Sequence, residues 1–160
     1  MLFVAVPLLV ARLASATCES WLPPTIDAGM LQPSVIALLQ QSPTFQQQCA
    51  RIAASRVVRV TLRVGTAVEA GAMAQTVISR YDTGAIRAEV TLRFAEDYWL
   101  LLAHEFEHII EQVEGVDLRD EAASGRAWRT SNGAWETRRA FNAGIRVRRE
   151  ADMLPRNPFD

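Results

Sequence analysis

The 160-residue chain contains no lysine, although it has 17 basic side chains, all of them arginine. Schiff-base chemistry and the P-loop both require the primary amine of a lysine side chain, so these two kinds of site are excluded. The formal net charge is only −1, whereas binding of nucleic-acid phosphates needs a clustered cationic surplus. We therefore expect no nucleic-acid partner.

Cysteine and histidine are equally scarce, with two residues of each type. Cys18 and Cys49 would close one disulfide in an oxidising compartment and would remain two buried thiols otherwise. The sequence favours neither alternative. The two histidines, His104 and His108, stand only four residues apart.

Long apolar runs are also missing, because the run at residues 1–10 is too short to cross a bilayer as a helix. The small-residue tripeptide at 14–16 follows it and resembles a signal-peptide cleavage site, although no basic residue precedes the run. We expect residues 1–16 to be a signal peptide, and the mature chain to be periplasmic or secreted with no stable membrane span. A cytoplasmic chain that keeps residues 1–16 as a strand or helix is the alternative.

The remaining residues 17–160 have the length of a single domain. Three segments predict strands of a small antiparallel sheet, near residues 57–64, 75–81 and 85–94. The last of them alternates strictly between apolar and polar side chains, which indicates one buried face. The Asp-Thr-Gly sequence at 82–84 predicts a hairpin turn between the second and third strands.

Helical patterns surround these strands and make the predicted fold class α+β. Two short helices are expected before the sheet, at residues 35–40 and 43–54. A longer amphipathic helix is expected near 96–114 and a C-terminal helix near 134–151. The polar residues 116–133 between these two helices predict a surface loop.

The longer helix contains the sequence His-Glu-Phe-Glu-His, which matches H-E-x-x-H. Residues four apart lie one above the other on a helix, so His104 and His108 can reach one metal ion. Glu105 would then take a proton from a water molecule that the metal activates. Two histidines placed at random would show this spacing, with glutamate after the first, about once in a thousand arrangements. A helix that carries two core or solvated histidines without a metal is the alternative.

The order of strand, hairpin, H-E-x-x-H helix and second helix, over about residues 57–150, resembles the zincin metallopeptidases. A small bacterial zincin-like family is therefore our expectation. The resemblance implies a Zn²⁺-dependent peptidase that acts on peptides or proteins, with His104 and His108 as ligands and Glu105 as the general base. It also implies that residues 85–94 border the cleft and pair as an edge strand with an extended substrate.

The third zinc ligand separates the zincin subclasses. A chain that resembles the metzincins carries the longer motif H-E-x-x-H-x-x-G-x-x-H. This chain instead has Glu111 at the glycine position and Glu114 at the last histidine position. That subclass is therefore disfavoured. Glu111 shares the face of the histidines, so it either orients an imidazole from outside the ligand set or is a polar residue at the boundary of the helix.

Gluzincins instead take a glutamate from a later helix, and Glu136 fits that description. Its side of the predicted helix is small and can approach the metal helix closely, because it carries Ala140, Ala143 and Gly144. A solvated glutamate at a helix N-terminus is the alternative for Glu136. Glu121, in the polar connection, is the reserve ligand.

Zincin peptidases also use a side chain that stabilises the oxyanion, and no further histidine is present for this role. The remaining candidates are tyrosines and arginines: Tyr81, Tyr98, Arg126, Arg129, Arg138 and Arg139. The competing functional hypothesis is an exported binding or structural protein that retains a zincin-like metal site without turnover.

Overall fold

The computed structural model describes residues 22–66, 72–93, 98–131 and 133–152, and these form an α+β fold, as predicted. The helices are α1 (Gln32–Gln41), α2 (Pro43–Ala54), α3 (Tyr98–Val113), α4 (Leu118–Ala123) and α5 (Arg138–Asp152). The strands are β1 (Ile26–Asp27), β2 (Val58–Val64), β3 (Ala74–Arg80), β4 (Ile86–Leu92), β5 (Ala127–Arg129) and β6 (Trp135–Thr137).

Helices α1 and α2 meet at Ser42, which begins the second helix. Its Oγ accepts a hydrogen bond from the Phe45 amide at 3.0 Å, and proline occupies the first turn. Glu150 of α5 reaches the same helix end, where its Oε2 accepts from the Thr44 amide at 3.0 Å. The last helix is thereby tied to the beginning of α2.

The first four strands form a mixed sheet in the order β1-β2-β4-β3. β3 and β4 form the predicted antiparallel hairpin, with Thr76 opposite Val90. However, β4 runs parallel to β2, with Val60 opposite Ala88, so the expectation of a wholly antiparallel sheet is wrong for this pair. Apolar alternation identifies the buried face of a strand but contains no information on the direction of its neighbour.

One face of the sheet is covered by α3, whose apolar residues Leu102, Phe106, Ile109 and Ile110 are buried. Helix α2 packs against α3, and the ring of Phe45 stacks on that of Phe106 with centroids 5.2 Å apart. Gly115 ends α3 with φ at 69°, and the Val116 amide donates to the carbonyl of Glu111 at 2.9 Å. This is a Schellman C-cap, which requires the left-handed conformation that glycine adopts most easily.

Residues 116–133, predicted as a surface loop, instead contain α4 and β5. Asp117 caps α4 by accepting hydrogen bonds from two amides of its first turn. β5 and β6 form an antiparallel pair. The last helix therefore begins at Arg138, and its predicted start near residue 134 is wrong. Strands of three residues are too short to give a reliable period-2 signal in a sequence.

The proposed signal peptide at residues 1–16 and Cys18 lie outside the described residues. Cys49 is buried in the core of α2 and the sheet. In the part of the chain that the structure describes, no helix combines the length and the apolar composition that a membrane crossing requires.

Candidate metal centre

Helix α3 carries both histidines on one face, one turn apart. The ring centroids of His104 and His108 are 4.9 Å apart, and the ring planes meet at 80°. Their side chains remain 15% and 17% exposed because this face opens on a cleft of about 750 Å³. The four-residue spacing therefore brings both imidazoles to one accessible site.

Glu136 approaches the histidines from the middle of β6, two residues before α5 begins. The prediction that it lies on the last helix itself is therefore wrong. Oε2 of Glu136 lies 3.1 Å from Nε2 of His104, and its Oε1 lies 3.5 Å from Nε2 of His108. Oε1 also accepts a hydrogen bond from the Thr137 amide at 2.7 Å. The structure thus brings the two histidines and the expected third ligand together.

A close contact between α5 and α3 makes this convergence geometrically feasible. A Cβ atom built on Gly144 would lie 2.7 Å from the carbonyl oxygen of Leu100 and 3.4 Å from Cβ of His104. The first distance is too short for a real Cβ, so a side chain at this position would force the two helices apart. Glycine at position 144 therefore allows the beginning of α5 to place Glu136 against the metal helix.

The three donor groups suit a zinc ion. One nitrogen of each imidazole and one oxygen of Glu136 all lie within 4.8 Å of one another. Zinc binds such ligands in a tetrahedron at roughly 2.0–2.2 Å, which puts neighbouring donors about 3.3 Å apart. Three protein ligands with the fourth position facing a cleft are typical of a catalytic zinc site, whereas structural sites have four protein ligands.

The charges of these groups depend strongly on one another. Burial disfavours the charged form of His108, but hydrogen bonds to Glu111 and Glu136 and the charges of Glu105 and Glu111 outweigh it and raise its pKa to about 10. Burial likewise disfavours ionised Glu136, yet its hydrogen bonds with His104 and His108 lower its pKa to about 2. A divalent cation that binds here must therefore displace a proton from His108.

Glu111 lies behind His108, on the side away from Glu136. Its Oε2 is 2.9 Å from Nδ1 of His108, and its Oε1 accepts a hydrogen bond from Oγ1 of Thr137 at 2.6 Å. The Glu111 side chain is only 2% exposed. This geometry favours an orienting carboxylate over a polar boundary residue, because the contact at Nδ1 leaves Nε2 directed at the metal site.

Glu105 follows His104 in α3 and borders the same cleft. It is 8% exposed, so its carboxylate faces the cleft without being freely solvated. Its Oε2 accepts a hydrogen bond from Oγ1 of Thr76, on β3, at 2.6 Å. The carboxylate that the motif assigns as general base is therefore held by a neighbouring strand.

Strand β3, rather than β4, borders the cleft. The inward-facing residues of β3, which include Ala74, Thr76 and Ile78, line its wall. β4 lies between β2 and β3, so both of its edges are paired. The expectation that residues 85–94 pair with substrate is therefore wrong, and β3 is the outer strand of this sheet among the described residues.

Glu121, the reserve ligand, is engaged elsewhere. It accepts two hydrogen bonds from the guanidinium of Arg126, at 2.7 and 2.8 Å, on the surface beside α4. It is also not part of the group of converging donor atoms. The described geometry thus favours Glu136 over Glu121 as the third donor.

The six candidates for oxyanion stabilisation do not line the described part of the cleft. The guanidinium of Arg129, for example, lies 4.5 Å above the ring of Trp135. The uncharged polar residues that do line the cleft are Gln75, Thr76, Gln112, Thr130 and Ser131.

Two threonines were missed by the sequence analysis, and each donates to a carboxylate of the site. Oγ1 of Thr137 also accepts a hydrogen bond from the Ala140 amide at 3.0 Å and so caps the N-terminus of α5. Threonine is a common residue at the N-cap position of a helix, so this role can be recognised from the sequence. Thr76 shares the inward face of β3 with two apolar residues, so its parity marks it as a polar group that points toward the core.

The chain matches no protein-family model, no curated protein and no solved structure.

Proposed function

We propose that the chain is a zinc-dependent hydrolase that cleaves peptide bonds. The observation that supports this proposal is the convergence of three donors, with Glu136 oxygens 3.1 and 3.5 Å from the Nε2 atoms of His104 and His108. A carboxylate of suitable position, Glu105, borders the same cleft. These are the parts that hydrolysis by an H-E-x-x-H site requires.

Held by His104, His108 and Glu136, zinc would polarise a substrate carbonyl and lower the pKa of a water molecule. Glu105 accepts a proton from that water as the water oxygen bonds to the carbonyl carbon. Glu105 then donates the proton to the leaving nitrogen as the carbon–nitrogen bond breaks. Glu111 keeps the ring of His108 in one orientation throughout, which avoids a reorganisation cost during the reaction.

The cleft favours an extended and uncharged stretch of peptide as the substrate. β3 offers a strand edge to which such a peptide can add by backbone hydrogen bonding. Apolar side chains form much of the remaining wall, among them Leu100, Leu101, Trp135 and Phe141. The charged groups that line the described part of the cleft all belong to the metal site.

Replacement of Glu105 with glutamine tests the proposal. We expect Glu105→Gln to retain stoichiometric zinc and to lose about 10²–10⁴-fold in kcat on fluorogenic peptides, since this is the usual contribution of a general base. Glu114→Gln is the matched control, because Glu114 directly follows the same helix, is 38% exposed and lies outside the cleft. Unchanged turnover in Glu105→Gln would contradict the proposal.

A non-catalytic metal-binding protein is the second candidate, and one observation favours it. None of the predicted tyrosines and arginines lies where the described cleft could use it to stabilise an oxyanion. If the wild-type protein binds zinc stoichiometrically but cleaves no peptide of a mixed-sequence library, this second function replaces the first.

A further inference from the structure

Thr76 lies on the cleft wall, and its hydroxyl donates a hydrogen bond to the carboxylate that would act as the general base. We infer that Thr76 is a positioning residue, whose hydroxyl holds Glu105 in the orientation that proton transfer requires. The inference rests on the proposed function, since it assigns Glu105 the role of base. It adds a residue from the sheet to a site otherwise built by α3 and β6.

The hydrogen bond fixes one oxygen of the carboxylate and leaves the other for water. Oγ1 of Thr76 donates to Oε2 of Glu105 at 2.6 Å, a length typical of a hydroxyl bonded to an ionised carboxylate. The terminal torsion of a glutamate side chain is otherwise broad and only weakly restricted. A donor fixed on a strand therefore removes a rotation that would take Oε1 away from the reacting water.

The position of the hydroxyl depends on the strand register. Thr76 pairs with the fully buried Val90 of β4. The residues before and after Thr76 on β3 point to the opposite face of the sheet. A shift by one residue would turn the hydroxyl away from α3. The strand that offers its edge to a substrate thus also sets the geometry of the base.

The fold itself does not require this hydroxyl. A valine has nearly the same shape as threonine and at least the same strand propensity. It would also place an apolar group beside the apolar residues that share the inward face of β3. An effect of Thr76→Val on catalysis is therefore separable from an effect on folding.

Steady-state kinetics of Thr76→Val and Thr76→Ser test the inference. We expect Thr76→Val to lower kcat about tenfold, because a hydrogen bond to a charged group is lost, while KM and zinc affinity change less than about twofold. Thr76→Ser restores the hydroxyl and should recover most of kcat. Thr91→Val is the matched control, since Thr91 lies on β4 on the face opposite the buried one.

A second measurement does not depend on turnover. Acetohydroxamate binds a metal ion and passes its proton to a nearby carboxylate, so its dissociation constant reports the placement of Glu105 in the zinc-loaded protein. We expect Thr76→Val to weaken this binding about three- to tenfold, and Glu105→Gln to weaken it further. A wild-type protein without peptidase activity would refute the proposed function but would leave this measurement intact.

Three results would overturn the inference. The first is a Thr76→Val protein equal to wild type in both kcat and acetohydroxamate affinity. The second is a loss that Thr76→Ser fails to recover. The third is a parallel loss of zinc affinity, since this would show that the threonine maintains the metal site and not the orientation of the base.

Discussion

Two clusters of carboxylates lie on different faces of α3, and they are neutralised by different cations. On the face turned from the cleft, Glu107 is 7% exposed and accepts from Nε of Arg139 at 2.6 Å and from Nη1 of Arg51 at 3.3 Å. Glu114, seven residues further along the chain and just beyond the end of α3, pairs with the same two arginines. Both guanidinium groups stay charged at any pH at which the protein is folded.

On the cleft face, Glu111 and Glu136 have imidazoles in place of guanidinium groups. Histidine supplies a positive charge only while it is protonated, so the counter-charge on this face can be exchanged. A proton or a divalent cation can provide it, and the two compete. One face of α3 thus ties three helices together through permanent charges, whereas the other could hold a cation.

The largest effect is expected from removal of the third donor. Glu136→Ala should weaken zinc binding roughly a thousandfold, which exceeds the 10–100-fold cost of losing an outer partner of a ligand. Competition with a chromogenic chelator measures the affinity. Glu121→Ala is the control and should bind zinc like the wild type, because its carboxylate pairs with Arg126. Equal affinities in the two variants would remove Glu136 from the site.

A smaller effect is expected from a change of pH on the free energy of unfolding of the metal-free protein. The pKa of His108 is raised from 6.5 to about 10, so its stabilisation is complete below pH 6.5 and is lost as the pH rises through 10. The pKa of Glu136 is lowered from 4.5 to about 2, so its stabilisation is complete above pH 4.5 and is lost as the pH falls toward 2. The free energy of unfolding should therefore fall by about 1 kcal/mol per pH unit between pH 7.5 and 9.5.

Urea denaturation of chelator-treated protein at several pH values measures this slope. His108→Gln removes the titrating group and should flatten the curve above pH 7, whereas the arginine cluster contributes no slope in this range. If His108→Gln keeps the wild-type slope, the two faces of α3 do not differ in the way described.

The smallest effect on the metal site is expected from a change on the face of α3 that is turned from the cleft. Arg139→Met should lower the free energy of unfolding by about 2 kcal/mol, below the usual cost of breaking a buried pair because Arg51 still faces Glu107. Its zinc affinity should stay within about twofold of the wild type, which thermal unfolding and chelator competition together would show. A large loss of zinc affinity would mean that the two clusters are not independent.

The sequence was sufficient for the parts of the site that depend on local spacing. The four-residue interval of the histidines fixes their common face in any helix, and the small side chains around Gly144 correctly indicated a close approach of the last helix. The hairpin at 82–84 was also local and was predicted. Each of these features is decided by neighbours within a few residues along the chain.

The parts that were wrong or missed depend on distant pairing. The parallel alignment of β2 with β4 brings together segments about thirty residues apart, and nothing in either segment encodes its direction. Because β4 pairs with β2 on one side and β3 on the other, the strand at the cleft is β3 and not β4. Thr76 of β3 therefore lies beside Glu105. The three-residue strands β5 and β6 were too short to recognise, although one of them carries Glu136.

Gly144 has a consequence for which ions the centre accepts. The separation of α3 and α5 fixes how far Glu136 stands from the histidines, and the backbone of Leu100 already limits that separation from below. Zinc needs ligand distances of about 2.0–2.2 Å, whereas calcium needs about 2.3–2.6 Å and more oxygen ligands. In the proposed zinc centre, the close approach at Gly144 would favour the shorter ligand distances of zinc, while the two imidazoles would disfavour calcium because calcium prefers oxygen ligands.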